Sequence, residues 1–288
     1  MTHSITVTDL VKIYGENHVL KGISFQVPKG TTFALLGVNG AGKTTTLESI
    51  EGLRQPTSGK IQVEGRMGVQ LQSTTLPSSI KGEEAIKLFS FYNNSTADKQ
   101  LNERIGMNEL LKKPYSSMST GQKRRLHLAL AMLGDPDILI LDEPTAGLDV
   151  EGRSALHEEI RNLQKKGKTI LLASHDLAEV EELTDHIAIL KDGVIAFSGS
   201  TASLRDQVGD FLQVAIKITN DLPEALAGAL GSYKQDKGYR YFTCSDLGSG
   251  LVRLIESLTK TGVTIEDIIV SKPSLEQRFL EIARKVEA

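Results

Sequence analysis

The chain has one cysteine, Cys244, no tryptophan and few aromatic residues of any kind. No apolar run approaches the roughly 18 residues that a membrane-spanning helix needs. Each scarcity removes a class of protein. A single thiol excludes disulfides within the chain and a cysteine-based zinc site, and it suits a reducing cytoplasm. The missing apolar run means that no helix is predicted to cross a bilayer. Positive charge is not in excess either: 33 Lys and Arg against 36 Asp and Glu give a net charge of −3, which offers no electrostatic footprint for nucleic acid. Met1-Thr2-His3-Ser4 has no basic segment leading into an apolar core, so no signal peptide is predicted. What is present, 288 residues of 40% apolar content, can bury a large core and is long enough for one domain and an extra lobe.

Against this background one run stands out. Gly37-Val38-Asn39-Gly40-Ala41-Gly42-Lys43-Thr44 satisfies the phosphate-loop pattern G-x-x-x-x-G-K-[ST]. It follows an apolar strand pattern, Thr32 to Leu36, and precedes a helical stretch, Thr44 to Gly52, which is the context that the pattern requires. Gly37, Gly40 and Gly42 remove side chains, so that backbone N–H groups, including those of Asn39 and Ala41, can converge on phosphate oxygens at a helix N-terminus. Lys43 would reach the β- and γ-phosphates, the Thr44 hydroxyl would ligate Mg²⁺, and Thr45 can add a phosphate hydrogen bond. A glycine-rich turn that merely ends in Lys-Thr is the bland alternative, and the flanking strand and helix argue against it.

A phosphate loop alone leaves kinases, GTPases, motors and transport ATPases open. Asp142 and Glu143 narrow the choice. They end the apolar run Ile138 to Leu141, which reads as a strand buried on both faces of a parallel sheet. Adjacent carboxylates in such a place are costly unless paired or metal-bound. Asp142 fits an outer-shell Mg²⁺ position, and Glu143 fits a residue that positions or polarises the attacking water.

With Met118-Ser119-Thr120-Gly121-Gln122-Lys123-Arg124-Arg125 preceding that strand, the chain resembles the nucleotide-binding subunit of an ATP-binding cassette (ABC) transporter over about residues 4 to 200. The family signature is usually Leu-Ser-Gly-Gly-Gln, so that Met118 and Thr120 are departures while Ser119 and Gly121 are retained. Ser119 also reads as the N-cap of a helix running through Lys123 to Leu133. The resemblance implies that Ser119, Gly121 and Gln122 bind the γ-phosphate of a nucleotide held by a second subunit, giving two composite sites in a head-to-tail dimer. It further implies that Tyr14 stacks on adenine, that Gln72 contacts Mg²⁺ and the attacking water, that Ala146 to Asp149 lines the dimer interface, and that His175 senses the γ-phosphate. Read without the family, Tyr14 is more often packing, and Gln70 shares a strand face with Gln72. Histidines 3, 18, 127, 157 and 186 have no motif around them.

The expected fold is α/β: a P-loop NTPase core of the ABC ATPase type, a mixed sheet with a helical subdomain at about 73–134, filling 1–200, plus a small C-terminal α+β lobe at 205–288. Thr57-Ser58-Gly59 is read as turning into a further pair of strands, Lys191 to Val194 as a hairpin turn, and Ser198 to Ser200 as the boundary of the core. The lobe reads as strand 212–219, helix 223–230, strand 239–243, helix 250–261, strand 264–270 and helix 274–286. With its ending Pro273 to Leu280, it resembles the extension of ATPases serving drug, antibiotic or natural-product exporters, and its expected role is accessory packing or dimer stabilisation, with a regulatory role, coupling the two subunits or restraining hydrolysis, as the alternative.

The function implied is hydrolysis of MgATP to power a separate transmembrane permease, an exporter, from the cytoplasmic face of the membrane. The ATPase partner would be a second copy, or else a paralogue, and no nucleic acid is expected. A GTPase would carry Asn-Lys-x-Asp, which is absent. A non-transport ABC protein acting on ribosomes or nucleic acid would show tandem cassettes, long heptad runs or zinc-bearing insertions. A cassette that regulates without turnover would be expected to lack one of Lys43, Asp142, Glu143 or His175, and all four are present.

Overall fold

A computed structural model describes residues 2–70, 75–95, 107–206, 212–218, 234–236, 238–244, 247–260 and 264–271. Its backbone divides into two compact units, with the division after Thr201.

The first unit is built on two sheets. Strands β1 (His3–Tyr14), β2 (Asn17–Pro28) and β4 (Ser58–Val63) form an antiparallel sheet in the order β2-β1-β4. The second sheet has six strands in the order β5-β6-β7-β3-β8-β9, with β3 Thr32–Leu36, β5 Met67–Gln70, β6 Ile138–Asp142, β7 Thr169–Ser174, β8 His186–Lys191 and β9 Val194–Ser200. It is parallel except for β9, which returns antiparallel to β8 through the Asp192-Gly193 turn, both residues at positive φ. That conformation suits the right-handed twist of a two-residue hairpin.

Sequence explains the layering. β3, β6 and β7 are buried at every position, because each presents apolar residues to both faces. Phe33, Leu35, Ile138, Ile140, Leu171 and Ala173 join Val7, Leu10, Ile23 and Phe25 of the antiparallel sheet in one core, and the Phe25 and Phe33 rings stack at 5.5 Å. Helix α1 (Lys43–Ile50) adds Leu47 and Ile50 to that core. Helices α4 (Val150–Lys165) and α5 (Leu177–Leu183) contact β7 and β3. They bring Leu156, Ile160, Leu163, Val180 and Leu183 into the interior.

Among the described residues between β5 and β6 are α2 (Gly82–Tyr92), a 3₁₀ turn at Tyr115–Ser117, and α3 (Thr120–Ala131). The strands expected after Thr57 are both present but do not pair with each other. β4 joins β1 and β5 joins β6, with a reversal at Gly65 (φ +127°) and the Asp137 carboxylate accepting from the Arg66 N–H at 2.9 Å. β9 runs into a short helix, α6 (Thr201–Asp206).

In the second unit, β10 (Leu212–Ile218), β11 (Lys234–Asp236), β12 (Tyr239–Cys244) and β13 (Ile265–Ser271) form an antiparallel sheet in the order β11-β12-β10-β13. Val214, Ile216 and Phe242 pack on Leu254 and Leu258 of α7 (Leu247–Lys260). β11 was not expected from the sequence: Lys-Gln-Asp carries no apolar alternation, and only its pairing with β12 reveals it. The helices expected at 223–230 and 274–286 lie outside the described residues.

Gly68 shows how closely α3 seats on the sheet. A Cβ there would overlap the Ala131 carbonyl oxygen and approach Pro136 Cγ to 2.9 Å. Gly68→Ala should therefore destabilise the first unit by about 1–3 kcal/mol, as overpacking does. Urea unfolding measures this, and an unchanged midpoint would contradict the seating.

Candidate functional site

The loop between β3 and α1 is fixed by close approach. A Cβ on Gly37 would collide with the Leu190 carbonyl oxygen of β8, and Gly42 sits at φ +109° with Leu20 Cδ2 2.7 Å from where its Cβ would be. Larger residues would push the loop off the sheet. Gly42 is also the N-cap of α1 and provides no side-chain cap, so the first-turn N–H groups keep their capacity for an anion. Asn39 and Gly40 are exposed, Ala41 is buried, and Thr45 is half-buried. Lys43 is buried and folds over its own loop: Nζ donates to the Gly37 carbonyl at 2.7 Å and lies 3.7 Å from Glu143 Oε1.

The end of β6 supplies the opposing charge. Asp142 is only 3% exposed. Burial pushes its carboxyl above the usual carboxylate range, while a hydrogen bond from the Thr44 hydroxyl pulls it back. Its Oδ1 is buried without a hydrogen-bond partner. Glu143 turns out of the strand at φ +49°, a left-handed conformation that costs on the order of 1 kcal/mol for a residue with a side chain. Its peptide is held on both sides, N–H to the Ala173 carbonyl at 3.0 Å and C=O from Arg124 Nη1 at 2.7 Å. Its Oε2 meets His175 Nδ1 at 2.7 Å, and the His175 side chain is 57% exposed. Lys43, Thr44, Asp142, Glu143 and His175 are thus gathered at the ends of β3, β6 and β7, which are neighbours in the sheet although about 130 residues separate the first from the last.

The remaining expected residues fall elsewhere. Tyr14, at the end of β1, is 40% exposed, with Lys12 Nζ 4.9 Å and Arg54 5.6 Å from its ring centroid. Ser119 caps α3, its Oγ accepting from the Gln122 N–H at 3.3 Å while Gln122 Oε1 accepts from the Ser119 N–H at 3.1 Å and from Lys113 Nζ at 2.8 Å. Gly121 packs near Leu148. Among the described residues, no hydrogen bond or ion pair joins Ser119, Gly121 or Gln122 to residues 37–45. Gln72 lies outside the described residues. Its neighbour Gln70 ends β5, buried, with Oε1 lacking a partner.

Two residues that the sequence reading did not single out belong to this neighbourhood. Arg124 reaches the Glu143 carbonyl, and only its place in the Lys123-Arg124-Arg125 run hinted at a role. Glu51, just past α1, has both carboxylate oxygens buried and unpartnered. Burial, then the charges of Asp142 and Glu48, push its pKa up to about 7.

Comparison with known proteins fits this geometry. Residues 20–146 match the ABC transporter family. The daunorubicin resistance ATP-binding protein DrrA3 of Streptomyces coeruleorubidus is 30% identical across 97% of this chain and 95% of its own. The chain belongs to the ABC transporter ATP-binding subunits.

As an ABC ATPase it hydrolyses ATP in the service of transport. The Nod factor export ATP-binding protein I of Ralstonia nicotianae is 33% identical over 90% of this ABC subunit and 87% of its own length. Among solved structures, an ATP-binding subunit of an ABC transporter superposes with a TM-score of 0.66 at 29% identity, covering 72% of this chain and 93% of that one. A dimeric bacterial ABC cassette, 23% identical, shares the fold with a TM-score of 0.63 over 68% of this chain and 98% of its own. No helix among the described residues of this subunit is long and apolar enough to cross a membrane.

The raised Glu51 carboxyl gives this ATPase a pH signature. Because folding raises the pKa, the native state holds the extra proton. The resulting stabilisation is complete below the ordinary value of 4.5 and is lost as pH rises through about 7. Thermal unfolding of the nucleotide-free protein should move to lower temperature between about pH 5 and about pH 8, and Glu51→Gln should flatten that slope. A variant with the parental slope would remove Glu51 as the cause.

Proposed function

We propose that this subunit hydrolyses MgATP at a site where Glu143 positions the attacking water. The observation that carries the reading is the Glu143 carboxylate itself. One oxygen is 3.7 Å from Lys43 Nζ and the other 2.7 Å from His175 Nδ1, beside a glycine-rich loop in which Gly40 faces open space. Nucleotide would draw Lys43 from the Gly37 carbonyl onto the β- and γ-phosphates, and that release frees Glu143 to accept a proton from water. His175, exposed and already bonded to Glu143, would turn its imidazole to the γ-phosphate. Tyr14, exposed at the end of β1, would stack on adenine, which would displace a cation that now lies over its ring.

The residues at the mouth of the loop fit Mg²⁺. The Thr44 hydroxyl and the unpartnered Asp142 Oδ1 are hard oxygen donors, and Gln72 would complete the protein's share. Bound there, the cation would neutralise charge on the phosphoryl oxygens. Burial of Asp142 without that cation leaves its carboxyl disfavoured as an anion, so Asp142 should ionise fully as the ion binds.

Ser119, Gly121 and Gln122 stand apart from the loop of their own chain, which favours their serving the nucleotide of a second subunit in a head-to-tail dimer, an identical copy or a paralogue. A separate permease would complete the machine at the cytoplasmic face of the membrane, docking on the helical subdomain at about 73–134. Relatives named for daunorubicin resistance and Nod factor export support an exporter. The nucleotide-binding domain would fill 1–200, and the lobe at 205–288 would be accessory.

Glu143→Gln should lower ATP turnover by about 10²-fold or more while leaving nucleotide binding within a few-fold of the parent. Lys43→Ala should lose binding, turnover or both. Turnover by Glu143→Gln at the parental rate, measured as phosphate release, would overturn the assignment.

A further inference from the structure

Arg124 has no part in the reading above, yet it donates a hydrogen bond that joins the signature helix to the Glu143 backbone. It sits on α3, whose N-cap is Ser119, a little over one helical turn further along. Its Nη1 donates to the Glu143 backbone carbonyl at 2.7 Å, in a part-buried setting. The peptide it grips is the one that must hold a left-handed turn, with φ at +49°, so that the Glu143 side chain leaves the strand toward Lys43 and His175. On the other side of the residue, the Glu143 N–H is fixed to the Ala173 carbonyl of β7. Remove either anchor and the strained residue is free to relax toward the extended backbone of β6, carrying its carboxylate away.

The same helix is packed against the loop that follows Glu143. A Cβ on Gly147 would stand 3.1 Å from Thr120 Cγ2, and one on Gly121 would stand 3.4 Å from Leu148 Cδ2. The start of α3 therefore lies close beside residues 147 and 148, and Arg124 ties the same helix to Glu143 directly. Burial disfavours the Arg124 cation, while the charges of Glu143 and Asp142 favour it. The guanidinium is thus held where its hydrogen-bond acceptor and its countercharges are found together.

We infer that Arg124 is a positioning residue for Glu143, a latch by which the signature helix sets the geometry of the water-positioning carboxylate. This rests on the assignment of Glu143 proposed above. A helix that engages the nucleotide of the second subunit then also adjusts the carboxylate of its own chain, so that the two composite sites are mechanically joined through one guanidinium in each chain. The fork geometry matters less than the presence of a donor at that carbonyl, so lysine should restore part of the function and alanine none.

The test is steady-state ATP hydrolysis by the full chain with Arg124→Ala, Arg124→Gln, Arg124→Lys and Glu143→Gln measured in parallel, together with ATP affinity and the thermal midpoint of each. Arg124→Ala should lower kcat by about tenfold or more with ATP affinity kept within about twofold, and Arg124→Lys should recover part of that loss. A kcat within about twofold of the parent in Arg124→Ala would overturn the inference. So would a parallel loss of ATP binding and thermal stability across all three Arg124 variants, which would mark the arginine as structural. Should Glu143→Gln itself turn over at the parental rate, the reading of the site fails first, and the two failures are distinguishable from the same experiment.

Discussion

Two adjacent carboxylates, Asp142 and Glu143, end a strand that water hardly reaches, and the surroundings answer that charge. Lys43 approaches from the phosphate loop, Thr44 donates its hydroxyl, His175 bonds from just past β7, and Arg124 grips the Glu143 carbonyl. Isolated carboxylates at this depth would be neutralised by protonation. Here the partners come from three different segments, the phosphate loop after β3, the residue after β7, and α3, so the site forms only when these and β6 are all in place. Stability and chemistry are coupled through one cluster, and on the function proposed a nucleotide entering it would take over contacts that the protein otherwise makes with itself.

The central elements were legible in the sequence because their determinants are local. Glycines at 37, 40 and 42 followed by Lys43 and Thr44 encode a turn and a helix start within eight residues. The continuous apolar runs of β6 and β7 encode strands buried on both faces. Asp142, Glu143 and His175 were readable because each ends such a strand, and the ends of neighbouring parallel strands lie together.

What the sequence could not show depended on distance along the chain. Nothing near Thr57 says that β4 and β5 part company into different sheets, since that follows from the pairing partners available 50 and 70 residues away. Arg124 looks like one cation in a basic run until the Glu143 carbonyl is found opposite it. Glu51 looks like a helix-end acid until its oxygens prove to be buried beside Asp142. In the second unit, β11 is a polar tripeptide whose strand character comes entirely from its neighbour. These are tertiary facts, and propensity carries no record of them.

Among the described residues no hydrogen bond or ion pair joins the phosphate loop to Ser119, Gly121 or Gln122, and the proposal that each chain supplies half of two sites follows from that separation. Light-scattering mass of purified Glu143→Gln protein, with and without MgATP, tests it most directly. A shift from one chain to two on addition of MgATP is the result predicted. A mass that stays at one chain, with ATP binding established separately, would contradict a site shared between identical copies.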